Sequence, residues 1–175
     1  SVLARLYARA GETAKARAAL EKTASEDPQD ITSRILLINI TDIKDKSAIQ
    51  DLVDQIKKIE GEQGFRWKYQ QARLWIFSDE WKSHQKEAVD LLGSNIKADP
   101  RDADSQLLLG IVQENSGRLS LAIEAYRRVY QQAPDSAQAV FYLVGALQKN
   151  NNLDEAGQIL DEAAKRGIAE PRLAG

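Results

Sequence analysis

Two prolines 34 residues apart, Pro100 and Pro134, bracket the feature that most restricts what this chain can become. Between them run two apolar stripes of helical period. In 103–116 (ADSQLLLGIVQENS) Leu107 and Ile111, and likewise Leu108 and Val112, fall four apart, the spacing that puts side chains on one helix face. Gly117 follows and ends that helix, because glycine enters the left-handed conformation without penalty. In 119–132 (LSLAIEAYRRVYQQ) Leu119, Ile123, Tyr126 and Tyr130 share a second stripe. Pro134, with no N–H to donate, stops it. So short a connection predicts an antiparallel helical hairpin.

The hairpin recurs at the same interval. Gly117 steps on to Asn151, which also tolerates left-handed dihedrals, Ala122 to Ala156, Tyr126 to Leu160, and Leu109 to Leu143. Near the start, LYARAGETAKARAALEKTASEDP carries Gly11, Ala16, Leu20 and Pro28 in matching places. Residues 31–63 keep the pattern through Ile35, Leu37, Ile38, Ala48, Leu52 and Ile56, with a turn expected to be shortened. Residues 64–102 recover Ala88, Leu92 and Pro100 but exceed the period by about five residues, expected around FSDEWKSHQ (77–85). Small residues at Gly110 and Ala122 let paired helices approach, and Leu109 and Tyr126 fill the space beside them. One hairpin alone leaves a face uncovered, so the units must stack. The expectation is a single all-α array over 1–175, with units near 1–30 (truncated), 31–63, 64–102, 103–136 and 137–170.

This period, with two helices per unit, resembles the tetratricopeptide repeat family. The residues that carry the likeness are Leu109-Gly110, Gly117, Ala122, Tyr126 and Pro134, then Leu143, Ala156, Leu160 and Ala163, where Val144 replaces the usual small residue. The resemblance implies a right-handed α-solenoid of about five helical hairpins. It also implies a non-enzymatic scaffold whose concave groove, lined by the first helix of each unit, holds a peptide or protein segment. The groove-facing positions it implies are Arg5 and Arg9 in the first unit, and Asn39 (with Ile35 and Asp42) in the second. Lys68 and Trp75 (with Ala72) follow in the third, Leu107 and Ile111 (with Glu114) in the fourth, and Phe141 and Gln148 (with Gly145) in the fifth. One subfamily clamps the C-terminal carboxylate of chaperones with Lys, Arg and Asn side chains. Here those positions are Ser1, Arg5, Leu36, Phe65 and Tyr69, so the clamp is absent.

Other chemistries find little support. His84 is the single histidine and there is no cysteine, which removes thiolate metal sites, thiol nucleophiles and any histidine pair. Asp99, Asp102 and Asp104 cluster at a helix start, where capping explains them. No phosphate loop or nucleophile elbow occurs, and no catalytic residue, metal or cofactor is expected. The formal charge of −2 argues against a phosphate backbone as ligand. GFRWKYQQARLW (64–75) interleaves Arg66, Lys68 and Arg73 with aromatics, yet Trp67 fits the large position that opens a repeat. No apolar run approaches the ~20 residues that span a bilayer, and SVLARLYARAGE lacks the layout of a signal peptide. A cysteine-free chain suits cytoplasm and periplasm alike.

The sequence reads as part of a longer repeat protein of the Ala/Arg/Leu-rich style that resembles bacterial multi-repeat proteins. Exposed array ends would then favour self-association. The alternative reading is a regulatory or substrate-recruiting region of an enzyme whose catalytic domain lies outside this sequence.

Overall fold

The structure is a computed structural model that describes residues 2–168, except for the side chains at positions 3, 4, 5 and 8. Among the described residues there are ten helices and no strand. The chain divides into two compact units, one up to Ala88 and one from Val89 on, with the division inside the sixth helix. The first unit holds α1 (Val2–Arg9), α2 (Thr13–Glu26), α3 (Ile31–Ile40), α4 (Lys46–Glu60), α5 (Phe65–Phe77) and the start of α6 (Gln85–Ala98). The second holds the rest of α6, α7 (Ala103–Asn115), α8 (Leu119–Gln132), α9 (Ala137–Lys149) and α10 (Leu153–Lys165).

Short polar side chains set the helix starts. Asp30, Asp45, Asp102 and Ser136 each accept a hydrogen bond from the backbone N–H three residues on, meeting one of the donors a helix leaves unpaired. Left-handed residues set the ends of α7 and α9. Gly117 has φ +73° and Asn151 φ +60°, and beyond them Arg118 N–H bonds the Gln113 carbonyl and Asn152 N–H that of Leu147. These wrap-back bonds close the last turns.

In the second unit Leu107, Ala122, Ile123, Tyr126, Val129, Val140, Leu143, Leu147 and Ile159 form one buried cluster. Tyr126 is wholly buried, and burial of a side chain that large stabilises by about 1.5–3 kcal/mol. Its ring lies against α7 because residue 110 is glycine. A Cβ there would stand 2.3 Å from Tyr126 Cε1. In the first unit Leu20 and Leu37 pack with Leu36, Ile40 and Leu52, and Ile49, Val53 and Ile56 bury the inner face of α4.

Two places depart from a regular hairpin. The turn at 41–45 is not the shortened one expected. It has five residues, and α3, with ten residues against thirteen in α7 and α9, is the short element. Side chains end α3 early: Thr41 Oγ1 donates to the Leu37 carbonyl at 2.7 Å, and Asp42 Oδ1 accepts from Lys44 N–H at 2.9 Å. Both compete with continuation of the helix. The third hairpin, α5 and α6, is joined by the longer connection 78–84. It is pinned at both ends. Lys46 Nζ reaches Asp79 at 2.7 Å, and the His84 ring stacks on Trp75 with centroids 4.6 Å apart and planes 14° off parallel.

Candidate ligand cleft

The second unit has a cleft of about 470 Å³ along α9. Val140, Phe141, Tyr142, Val144, Gly145, Ala146, Gln148 and Lys149 line it from α9, Glu114 from the end of α7 and Leu160 from α10. The wall is apolar around Phe141 and Gly145, and polar where α7 and α9 end.

An aromatic chain joins this wall to the core. Tyr126 and Tyr142 have ring centroids 5.3 Å apart, and Phe141 meets Tyr142 edge-on at 5.4 Å. Phe141 itself is 36% exposed at the rim. At the polar end Glu114 is held from two sides: Oε2 accepts from Tyr126 OH at 2.9 Å and Oε1 from Lys149 Nζ. Burial, with the Glu114 carboxylate second, pushes the Tyr126 phenol far above its ordinary range, so it remains a donor at any working pH. The lysine is the looser partner, its side chain 66% exposed against 21% for the glutamate.

Four groove positions implied by the repeat register therefore meet in one cleft: Glu114, Phe141, Gly145 and Gln148. The others are dispersed. Leu107 is buried in the core of the second unit and Ile111 packs against that core. In the first unit Lys68 and Ala72 are buried, and Trp75 lies half-buried under His84. Asn39 is exposed and accepts from Arg73 Nη1 at 2.6 Å. That arginine also lines a recess of about 50 Å³ with Ile38, Ile43 and Leu74, room for one or two waters. Arg9 is exposed, and the Arg5 side chain lies outside the described residues, as does Ser1.

Tyr142 and Lys149 line the cleft without having been singled out in the sequence, and Leu160 lines it although the repeat pattern marked it only as a packing position. A signal for Lys149 existed: it follows Glu114 by 35 residues, one repeat plus one. In the 64–75 stretch both tryptophan rings are engaged, Trp75 by His84. Trp67 is buried beneath the Lys57 ammonium, 4.5 Å from its ring centroid, and its indole N–H donates to the Gly61 carbonyl. Among the described residues no three His, Asp or Glu side chains gather as a metal site, and no helix is long and apolar enough to cross a membrane.

Models of the tetratricopeptide repeat match residues 3–30, 86–137 and 115–174. No curated protein sequence matches the chain. Three solved structures illustrate the fold likeness. MamA (41-end) from Desulfovibrio magneticus RS-1 is 17% identical, with 98% of this chain and 93% of that one covered and a TM-score of 0.65. YrrB, described as a TPR protein with an unusual peptide-binding site, is 19% identical, with 97% and 84% covered and a TM-score of 0.58. PilF of Pseudomonas aeruginosa is 16% identical, with 93% and 72% covered and a TM-score of 0.71. At these identities the likeness carries the all-α solenoid fold alone.

Proposed function

The chain belongs to the tetratricopeptide repeat family, a fold of protein-interaction scaffolds, and from that premise we propose that it binds a partner polypeptide in the α9 cleft. One observation carries the reading. Gly145 sits mid-helix in the cleft wall, where glycine costs about 0.5–1 kcal/mol relative to alanine, and nothing in the fold asks for it. No atom lies within 4 Å of where its Cβ would stand, and its φ is not left-handed. Gly110, by contrast, is demanded by Tyr126. Gly93 and Gly157 are also unhindered, but they are exposed and stand outside the lining of this cleft. A bare spot beside a half-exposed phenylalanine suits an incoming side chain. A few such anchors support micromolar binding, about 8 kcal/mol. YrrB's described peptide-binding site is consistent with such use of the fold.

The test is a selection of displayed peptides on the chain, followed by titration of the winners against Phe141→Ala and Gly145→Leu. Both variants should lower affinity by about tenfold or more, with unchanged helical circular dichroism. Selected peptides that bind Gly145→Leu as tightly as the parent would place the binding surface elsewhere.

A further inference from the structure

The polar end of the cleft specifies what accompanies the apolar anchor, an inference that rests on the cleft being the binding site. Glu114 stands in the last turn of α7, where the helix macrodipole is negative and a carboxylate is unfavourable. α7 has no basic residue in that turn. The carboxylate is nevertheless fixed, by the buried Tyr126 hydroxyl that bonds one oxygen. Among the described residues its other oxygen is met by Lys149 alone, on a flexible and mostly exposed stem at the end of α9. An ion pair that exposed contributes little, so exchanging one cation for another costs little. A guanidinium is the better partner, because it presents several planar donors to a carboxylate where an ammonium is a point charge.

The apolar notch lies one helical turn away. Gly145 is four residues before Lys149 and stands one repeat after Ile111, a half-buried side chain packed against the core. The fifth hairpin thus lacks the isoleucine-sized filling that the fourth one has, next to Phe141 and Val144. One turn of α9 rises about 5.4 Å, close to the span of two residues in an extended chain.

We infer that the cleft recognises an extended segment with a large apolar residue and an arginine two positions apart: the apolar side chain seats over Gly145 against Phe141, and the guanidinium displaces Lys149 from Glu114.

The probes are capped tripeptides titrated into the isotope-labelled chain, with amide shifts at 141–149 as the readout. Phe-Ala-Arg, or the reversed Arg-Ala-Phe, should bind about tenfold more tightly than Phe-Ala-Glu or Ala-Ala-Arg. Variants give opposite signs. Lys149→Ala should tighten the arginine peptide by removing its competitor, and Glu114→Gln, which still accepts from Tyr126, should weaken it. Equal or better binding of Phe-Ala-Glu would show that Lys149 receives a carboxylate instead, and overturns the inference. So does weaker binding to Lys149→Ala, or no shift from either arginine peptide. Peptides from the display selection that lack arginine and still lose affinity on Gly145→Leu would leave the cleft as the binding site while refuting this pairing.

Discussion

Two glycines on consecutive first helices have opposite meanings, and the difference is measurable. At Gly110 a methyl group would press into the Tyr126 ring, whose hydroxyl is tied to Glu114 and whose body fills the core. Gly110→Ala should therefore destabilise by about 1–3 kcal/mol despite alanine's better helix propensity. At Gly145 the same change meets open space and should stabilise by about 0.5–1 kcal/mol. Urea denaturation of both variants checks the pair; equal signs would mean the α7–α8 approach has been misread. The sequence marks both as small residues in a helix. The repeat pattern assigns Gly110 to the close approach of paired helices and Gly145 to the groove. It does not show how near the Tyr126 ring comes to Gly110, because that depends on how Tyr126 leans across the hairpin.

At the scale of elements, legibility followed the kind of signal. α8 was readable to the residue and α7 to within one, because Gly117 and Pro134 punctuate them and Asp102 caps the first. The turn at 41–45 was not readable, because Thr41 and Asp42 end α3 by side-chain hydrogen bonds in place of a glycine. The stack of His84 on Trp75 was equally hidden. It pairs a helix with a connection outside the repeat period, and periodicity says nothing about such contacts. For the cleft, the register placed Phe141 and Gln148 on one face, whereas Lys149 belongs to it only through its pairing with Glu114. Caps also carry a pH signature. Asp30 accepts from Ser33 N–H at the start of α3. Hydrogen bonding from Ser33 (its side chain first, then its backbone) and from Thr32 N–H outweighs burial and holds the carboxyl below the ordinary value. Since the folded value is the lower one, the cap contributes fully above the unfolded value and loses its contribution as pH falls through the folded one. Asp30→Ala should cost about 1 kcal/mol at neutral pH, with the gap to the parent closing below about pH 4. A gap independent of pH would remove Asp30 from that role.

For the molecule as a whole, the main packing partners in each compact unit are helices adjacent in the chain. Stability of this kind sums over nearest neighbours, so damage should stay local. Ala122 of α8 is fully buried in the core of the second unit, and Ala122→Leu should cost about 1–3 kcal/mol. In hydrogen exchange the loss of protection should be confined to amides after Val89, with those of α2–α4 at parental rates. Uniform acceleration along the chain would indicate a single cooperative body.

A vacant position on a helix that its own fold leaves untouched is constrained by what binds there and not by the hairpin. Side chains other than proline at 145 would change what enters beside Phe141, and their Cβ would meet no atom of the hairpin behind it. Discrimination between partners could thus change by single substitutions, uncoupled from the constraints that hold Gly110 and Tyr126 in place.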